Sequence, residues 1–170
     1  MTRFAILDVP PGSLILAATE RGPSRVILTR RRGRAAMSLA RKYLPDATHD
    51  ARLLPHLQRA LEDYFAGKPV RFDIRPDWAG LTPFCRKVLE ACARIPYGQT
   101  VSYGQLARRV GRGGAARAVG QALARNPVPI IIPCHRVITS QGRLGGFSAE
   151  QGVALKRRLL AMEAGTGDRP

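Results

Sequence analysis

Apolar residues in the first part of the chain fall into three short runs, at residues 4–7, 14–18 and 25–28. A Pro-Pro-Gly and an Arg-Gly-Pro segment separate the runs, and such clusters are typical of tight turns. This pattern predicts a small antiparallel sheet. Helical periodicity follows at 35–43 and 52–65, and the second segment has a leucine or phenylalanine at every fourth position. We therefore predict an N-terminal α/β domain over residues 1–75.

The apolar periodicity stops at residues 76–82, where proline, glycine and aspartate cluster, so this segment is expected to link two domains. A helix is expected to begin at Pro83, because the preceding threonine can cap it and proline suits the first helical position. Its predicted apolar face comprises Phe84, Val88, Ala91 and Ile95. Cys85 and Cys92 lie beside that face and are expected to be small buried residues. The predicted C-terminal domain spans residues 83–170.

Two short helices joined by glycines follow. Ser102 and Gln105 have the spacing of a capping box and predict a helix to Val110, residues 111–114 supply a turn, and a second helix is predicted over 115–125. This is the helix-turn-helix pattern, although helical hairpins in ordinary cores look similar. The predicted fold class is α/β: a small N-terminal α/β domain with an antiparallel sheet, and a helical C-terminal domain with a winged-helix-like helix-turn-helix.

The start of the second helix has an unusual surface. It reads Ala115, Ala116, Arg117, Ala118, so a single large side chain projects from a run of alanines. Such a smooth helix can approach a nucleic-acid groove closely, with the arginine as its one cation.

Residues 130–132 are all isoleucine and predict a buried strand that ends at Pro133-Cys134-His135-Arg136. A cysteine fixed by a proline and next to a histidine suggests a positioned thiol. The thiolate is the nucleophilic form, and a nearby histidine, arginine or helix end lowers the pKa of a thiol from about 8.5 toward neutrality. A buried structural cysteine beside an ordinary histidine is the alternative. In an extended chain neighbouring side chains point to opposite faces, so direct contact between the two would need a local turn or a bridging water.

The charge of the chain indicates a polyanionic partner. The 170 residues include 28 Lys and Arg against 12 Asp and Glu, for a net charge of +16. Residues 1–82 carry 14 basic and 8 acidic side chains, whereas residues 83–170 carry 14 and 4, so the second half is the expected contact surface. The arginines within 30–34 form a predicted basic loop, either a solvated strand end or a nucleic-acid contact.

Several classes of protein are not expected. With 45% apolar residues the chain is not disordered, and no apolar stretch approaches the roughly 20 residues that span a bilayer. The N-terminus lacks a secretory pattern, so we expect a cytoplasmic protein without a membrane partner. Three cysteines and three histidines, without paired spacings, make a metal site unexpected.

Several ordered motifs resemble the O6-alkylguanine-DNA alkyltransferase family, and the resemblance is nearly ungapped over about 45 residues. These motifs are Ile95-Pro96-Tyr97-Gly98-Gln99, Ser102-Tyr103-Gly104-Gln105-Leu106-Ala107, Ala116-Arg117-Ala118-Val119-Gly120, Asn126-Pro127-Val128-Pro129-Ile130 and Ile132-Pro133-Cys134-His135-Arg136-Val137-Ile138. The N-terminal part matches more loosely, through Glu62-Asp63-Tyr64-Phe65-Ala66-Gly67-Lys68.

The resemblance implies a single-turnover repair reaction in which Cys134 takes the alkyl group from O6 of guanine and is not regenerated. By the family's pattern, His135 acts through a water to deprotonate Cys134, and Glu163 orients His135. No cofactor is implied. The implied partner is double-stranded DNA that contains O6-alkylguanine, bound from the minor groove without sequence preference. We expect a monomer and leave cooperative binding along DNA open.

The resemblance also implies how the base is reached, because a base inside a duplex must be flipped out before it can react. Arg117 matches the arginine that fills the vacated space, and Tyr103 matches the tyrosine that crowds the neighbouring phosphate and contacts the flipped guanine. Asn126 matches a structural asparagine in the turn after the recognition helix. The remaining implied site residues are Ala115 and Ala116 at the DNA surface, and Val137, Phe147, Ser148 and Lys156 in the substrate pocket.

The sequence departs from the family near this pocket. Phe147 stands where the family usually has tyrosine, so the wall keeps its apolar surface and lacks a hydroxyl. The loop 148–152 is about two residues longer than is usual, which leaves the shape of the pocket open. Two alternatives remain: an alkyltransferase-like protein that binds the lesion without repairing it, and a dimeric helix-turn-helix regulator with a redox-sensitive cysteine.

Overall fold

The computed structural model of the chain describes residues 1–147 and 152–165. It contains two compact units, the first spanning Met1–Asp77 and the second beginning at Trp78. The boundary lies inside the segment 76–82, whose role as a linker stays a prediction. Across the described ranges, no helix is both long enough and apolar enough to cross a membrane.

The first unit is built on a four-stranded sheet. Its strands are β1 (Arg3–Val9), β2 (Gly12–Thr19), β3 (Gly22–Thr29) and β4 (Thr48–His49), in the order β3-β2-β1-β4. The first three are antiparallel, with Ile6 opposite Ile15 and Ile15 opposite Ile27, and β4 is parallel to β1. The predicted antiparallel sheet is confirmed, and its central strand β2 is buried over almost its whole length.

Two helices accompany this sheet, α1 (Gly33–Tyr43) and α2 (Pro55–Phe65). In α1, Leu39 and Ala40 pack with the sheet residues Phe4, Ile15 and Ala17 in one apolar cluster. Helix α2 begins three residues later than predicted, because proline favours the first turn and the residue before it is disfavoured in helical conformation. The predicted basic loop 30–34 is also shorter, since α1 already begins at residue 33.

The second unit is mainly helical. It contains α3 (Pro83–Ala93), α4 (Tyr103–Arg109), α5 (Ala116–Ala124) and α6 (Gly152–Glu163), with β5 (Val101–Ser102) parallel to β6 (Val137–Ile138). Thr82 caps α3 as predicted and accepts a hydrogen bond from the backbone of Cys85 at 3.2 Å. The predicted face of α3 is partly wrong, because the buried positions within the helix are Cys85, Val88, Leu89 and Cys92.

The pair α4 and α5 confirms the predicted helix, turn and helix. Ser102 and Gln105 form the capping box, with bonds of 3.0 Å and 2.7 Å in the two directions. The buried side of α5 contains Val119, Ala122 and Leu123, and helix α3 packs there, since the Cys85 thiol donates to the carbonyl of Ala122 at 3.4 Å. Arg117 lies on the opposite, exposed side of α5. The winged-helix-like arrangement stays a prediction.

Candidate active site

The segment that leads to Cys134 is a buried compact loop, which corrects the prediction of a strand at 130–132. Pro127, Pro129 and Pro133 have no N–H group to donate to a sheet, and Ile130 adopts a positive φ of 74°. In place of a ladder, the backbone N–H of Ile132 donates to the carbonyl of Val128 at 3.0 Å. The chain therefore turns on itself before it reaches the cysteine.

Asn126 holds this loop with its side-chain amide. Its Oδ1 accepts from the N–H of Val128 at 3.1 Å, and its Nδ2 donates to the carbonyl of Ile132 at 2.9 Å. The same Nδ2 lies 3.2 Å from Sγ of Cys134 and donates to it. Asn126 thus ties the end of α5 both to the loop and to the thiol.

Cys134 starts a single 3₁₀ turn, Cys134–Arg136. Its side chain is buried, and this burial raises the pKa of the thiol. The hydrogen bond from Asn126, the positive charge of Lys156 and the backbone N–H groups of Cys134 and His135 all oppose the effect without cancelling it. The sequence predicts a pKa shifted toward neutrality, and the structure corrects this prediction, because burial raises the pKa of the Cys134 thiol and the thiol holds its proton.

The two residues after the cysteine meet the end of α6. Nε2 of His135 lies 2.6 Å from Oε1 of Glu163. The guanidinium of Arg136 donates from Nε to Oε2 at 2.8 Å and from Nη2 to Oε1 at 3.1 Å. Both side chains are buried, as is the carboxylate. Burial lowers the pKa of His135, and the charge of Arg136 lowers it further, although the bond to Glu163 acts in the opposite direction.

A cavity of about 710 Å³ opens beside the thiol. One side is formed by α4 and α5, and the other by residues 145–147. Its lining consists of Tyr103, Ala116, Arg117, Gly120, Gln121, Leu123, Ala124, Cys134, Gly145, Gly146 and Phe147. Except for Arg117, Gln121 and the hydroxyl and thiol groups, these residues offer small or apolar side chains, which suits a flat aromatic ligand that carries an alkyl group.

Lys156 fixes one wall of this cavity from within the protein. Its buried ammonium donates to the carbonyl of Val137 at 2.7 Å and to that of Gly146 at 3.4 Å. It also lies 5.8 Å from the centre of the Tyr103 ring. The Tyr103 ring packs under Gly145, where an added Cβ would come within 2.8 Å of the hydroxyl. Lys156 therefore connects the segment after Cys134 with Gly146, which follows the Gly145 that packs against Tyr103.

Comparison with known proteins identifies the family. The sequence profile described as 6-O-methylguanine DNA methyltransferase, DNA binding domain, matches residues 83–165. The methylated-DNA–protein-cysteine methyltransferase of Mycobacterium bovis is 40% identical over 166 residues, which cover 96% of this chain and 93% of the relative. The chain belongs to the methylated-DNA–protein-cysteine methyltransferase family. The predicted resemblance is confirmed.

Other members of this methyltransferase family match over the same length. The relative from Methanosarcina acetivorans is 37% identical over 161 residues, which are 94% of this chain and 97% of its own. A crystal structure of Mycobacterium tuberculosis OGT in complex with DNA matches with a TM-score of 0.81 at 35% identity and covers 97% of this chain and 94% of that one. The likeness therefore extends across both units, which supports the predicted fold class.

The predicted site residues of this methyltransferase take several kinds of position. Cys134, Tyr103, Arg117, Ala116 and Phe147 line the cavity. Outside the cavity lining, Asn126 donates to the cysteine, His135 follows it in the chain, and Glu163 is hydrogen-bonded to His135. Val137 and Lys156 are buried and joined by a hydrogen bond, and Ala115 is the N-cap of α5. Ser148 lies outside the described residues. Their roles stay predictions.

Sequence reasoning missed two contributors. The Cys134-His135-Arg136 motif contains Arg136 but gives no sign that its guanidinium binds a carboxylate, and the second contributor is the backbone N–H of Gly98, which donates to Oε2 of Glu163 at 3.1 Å. The Pro-Tyr-Gly turn was a signal for a tight backbone approach, but its partner 65 residues later was not visible in the sequence. In the part of the chain that the structure describes, no three His, Cys, Asp or Glu side chains cluster as a metal site would require.

Proposed function

We propose that this protein repairs O6-alkylguanine in DNA by direct reversal, with Cys134 as the irreversible acceptor of the alkyl group. The observation that carries this proposal is the Cys134 thiol, which lines a largely apolar cavity next to the hydrogen-bonded pair of His135 and Glu163. Membership of a family whose members are named methylated-DNA–protein-cysteine methyltransferases supports it.

The proposed reaction forms one bond and breaks one bond. Sγ of Cys134 attacks the alkyl carbon, an S–C bond forms, and the bond from that carbon to O6 of guanine breaks. The thiol proton is transferred to His135 through a water, as the resemblance implies. The departing guanine anion takes up one proton from solvent and the imidazolium of His135 releases one to solvent, so the products are neutral. A neutral imidazole is suited to this step, because a general base must be unprotonated to accept a proton. Nothing regenerates the S-alkylcysteine, so each molecule reacts once.

DNA is the proposed partner, and α5 is the proposed contact. The structure of the Mycobacterium tuberculosis relative contains DNA, which supports this assignment. Arg117 is exposed and lines the same cavity as the thiol, so it can occupy the space of a flipped base while the base enters the pocket. Tyr103 would contact that base. We further propose minor-groove binding without sequence preference by a monomer in the cytoplasm.

Mass spectrometry tests the reaction directly. The protein is incubated with a duplex that contains one O6-methylguanine, and the modified peptide is then mapped. We expect one methyl group per molecule, on Cys134, and none after Cys134→Ser. Cys85→Ala is the matched control, because it removes another buried thiol and should leave the transfer intact. An unmodified chain that still binds the lesion would favour the recognition-only alternative, and transfer by Cys134→Ser would reject this acceptor.

A second experiment tests the role of Arg117. Arg117→Ala should slow the repair of duplex DNA far more than the reaction with free O6-benzylguanine, which needs no base flipping. Arg125→Ala is the control, since Arg125 is an exposed arginine at the other end of the same helix. Equal losses on the two substrates would argue against a flipping role.

A further inference from the structure

The Glu163 carboxylate accepts hydrogen bonds from three residues in two separate segments of the chain. Oε1 accepts from His135 at 2.6 Å and from Nη2 of Arg136 at 3.1 Å, while Oε2 accepts from Nε of Arg136 at 2.8 Å and from the N–H of Gly98 at 3.1 Å. The third guanidinium nitrogen, Nη1, donates to the carbonyl of Ile95 at 2.6 Å. Arg136 therefore binds the carboxylate in the two-pronged geometry that is the strongest for this pair.

The charges of this cluster constrain the state of the histidine. Arg136 is permanently cationic and Glu163 is the anion beside it, so together they are neutral when His135 is neutral. A protonated His135 would give the cluster an uncompensated positive charge, in a place where its members are at most 7% exposed. Uncompensated buried charge is strongly unfavourable. The ammonium of Lys156, also buried, would add to the repulsion.

We infer that Arg136 is a positioning residue that occupies the Glu163 carboxylate and thereby keeps His135 neutral, as the base that accepts the proton of Cys134. This inference rests on the proposed alkyl transfer. With a neutral ring, the 2.6 Å bond requires the hydrogen on Nε2, because the carboxylate can only accept. The lone pair then lies on Nδ1, and Nδ1 is the atom that takes the proton.

The other groups around His135 support the same assignment. Its own 3₁₀ turn contributes the thiol of Cys134 and the guanidinium of Arg136, and α6 contributes Lys156 and Glu163. Among the described residues, Glu163 is the acid that acts on the ring. From α3, Cys92 is fully buried and its pKa is raised, so it holds its proton and adds no charge. Tyr97 stacks 5.7 Å from the guanidinium of Arg136, and its pKa is also raised, so it stays neutral.

A neutral His135 has a clear use at this site. Because the Cys134 thiol holds its proton in the fold, a histidine already protonated could not remove it. If Glu163 bound His135 alone, the carboxylate would favour the imidazolium. Arg136 shares the carboxylate, so Glu163 can orient the ring without charging it.

Nitrogen-15 NMR of the wild-type protein tests the inference without any variant. The chain has three histidines. Replacing His49 and His56 by glutamine, one at a time, identifies their ring signals and leaves the remaining signal to His135. We expect the His135 ring to be neutral at pH 7 and protonated on Nε2. An imidazolium at pH 7, or a neutral ring protonated on Nδ1, would overturn the inference.

Arginine variants test the role of the charge. The rate of alkyl transfer from free O6-benzylguanine is measured between pH 5.5 and 9 for the wild type, Arg136→Lys and Arg136→Gln. The rate should fall at low pH as His135 becomes protonated, and in Arg136→Gln we expect this acid limb of the pH profile to move to higher pH by about one unit. At low pH the rate of this variant should then be about tenfold lower, relative to its own maximum, than the rate of the wild type relative to its maximum. Arg136→Lys keeps the charge, so its acid limb should move much less. Arg158→Gln removes an exposed arginine from α6 and is the matched control with an unchanged limb.

The outcomes separate this inference from the proposed function. A folded Arg136→Gln whose acid limb is unchanged, or moves to lower pH, would overturn the inference while leaving the transfer reaction in place. If the glutamine variant does not fold, the wild-type NMR signal still decides. A wild-type protein that takes no benzyl group on Cys134 would refute the proposed function itself.

Discussion

Replacing Asn126 by alanine should both destabilise the loop before Cys134 and slow alkyl transfer. The backbone N–H of Val128 loses the acceptor that lies 3.1 Å away, and the carbonyl of Ile132 loses the donor that lies 2.9 Å away. The substitution also removes the donor that lies 3.2 Å from Sγ of Cys134. Val128 and Ile132 are buried, at 0% and 3% exposure, so water does not readily replace these partners.

The magnitude follows from the count of groups left without a partner. A buried polar group that loses its hydrogen bond costs about 1–3 kcal/mol, so two backbone groups give a loss of about 2–6 kcal/mol in the free energy of unfolding. Loss of the Asn126 amide that donates to Sγ of Cys134 should also slow the reaction. A hydrogen bond to a charged group contributes about 1.5–3 kcal/mol, so a thiolate that loses it should form roughly 10 to 150 times less readily.

Two assays measure these effects separately. Urea denaturation gives the free energy of unfolding, and the reaction of the folded protein with free O6-benzylguanine gives the rate of alkyl transfer without any contribution from DNA binding. Asn126→Asp keeps the acceptor for Val128 but loses both donors and brings a negative charge to the thiol, so it should be slower still. Gln141→Ala removes an exposed amide and serves as the control. Asn126→Ala with a loss below about 0.5 kcal/mol and an unchanged rate would refute the argument.

Three further results are expected. Gly145→Ala should slow alkyl transfer, because the added Cβ would lie 2.8 Å from the Tyr103 hydroxyl. The control is Gly142→Ala, which also has a positive φ but meets no atom within 4 Å, so it should lower only the free energy of unfolding. Equal rates of alkyl transfer in the two variants would contradict this prediction. Affinity for duplex DNA should fall about a hundredfold between 50 and 200 mM salt if about four phosphates are contacted, and a flat dependence would remove the argument from charge. The free energy of unfolding should decrease as the pH falls below 6.5, by up to about 1.4 kcal/mol per pH unit. The reason is that burial lowers the pKa of His135, so the unfolded chain takes up the proton at a higher pH than the folded protein. His135→Gln should flatten this decrease, and an identical slope in the variant would exclude His135 as its source.

Local sequence signals predicted the elements that are determined locally. The three strands of the first unit are separated by residues with strong turn preferences, and the capping box at Ser102 specifies its own hydrogen bonds within four residues. Thr82 and Pro83 likewise define the start of α3. In each case the residues that make the decisive contacts are neighbours in the chain, so a reader of the sequence has all the necessary information.

The errors arose where distant contacts decide. Residues 130–132 have the apolar composition of a strand, but the prolines around them and the Asn126 side chain hold the segment as a loop. On α3, the contact of Cys85 with Ala122, 37 residues away, helps to determine which side is buried. The cluster at Glu163 joins residues up to 65 positions apart, so its geometry required the folded structure.

The balance of protons in the proposed reaction explains why so buried a site can work. The reactants are a neutral thiol and a neutral alkylguanine, and the products are a neutral thioether and a neutral guanine, so no net charge has to enter or leave. A permanent thiolate beside a permanent imidazolium would require strong solvation of both in the resting protein. The structure instead holds Cys134 protonated, and Arg136 and Glu163 compensate each other. Charge separation is then confined to the moment of attack. At that moment the amide of Asn126 already donates to the sulfur, and the buried positive charge of Lys156, held by two carbonyls, already favours the thiolate, so neither group needs to reorganise.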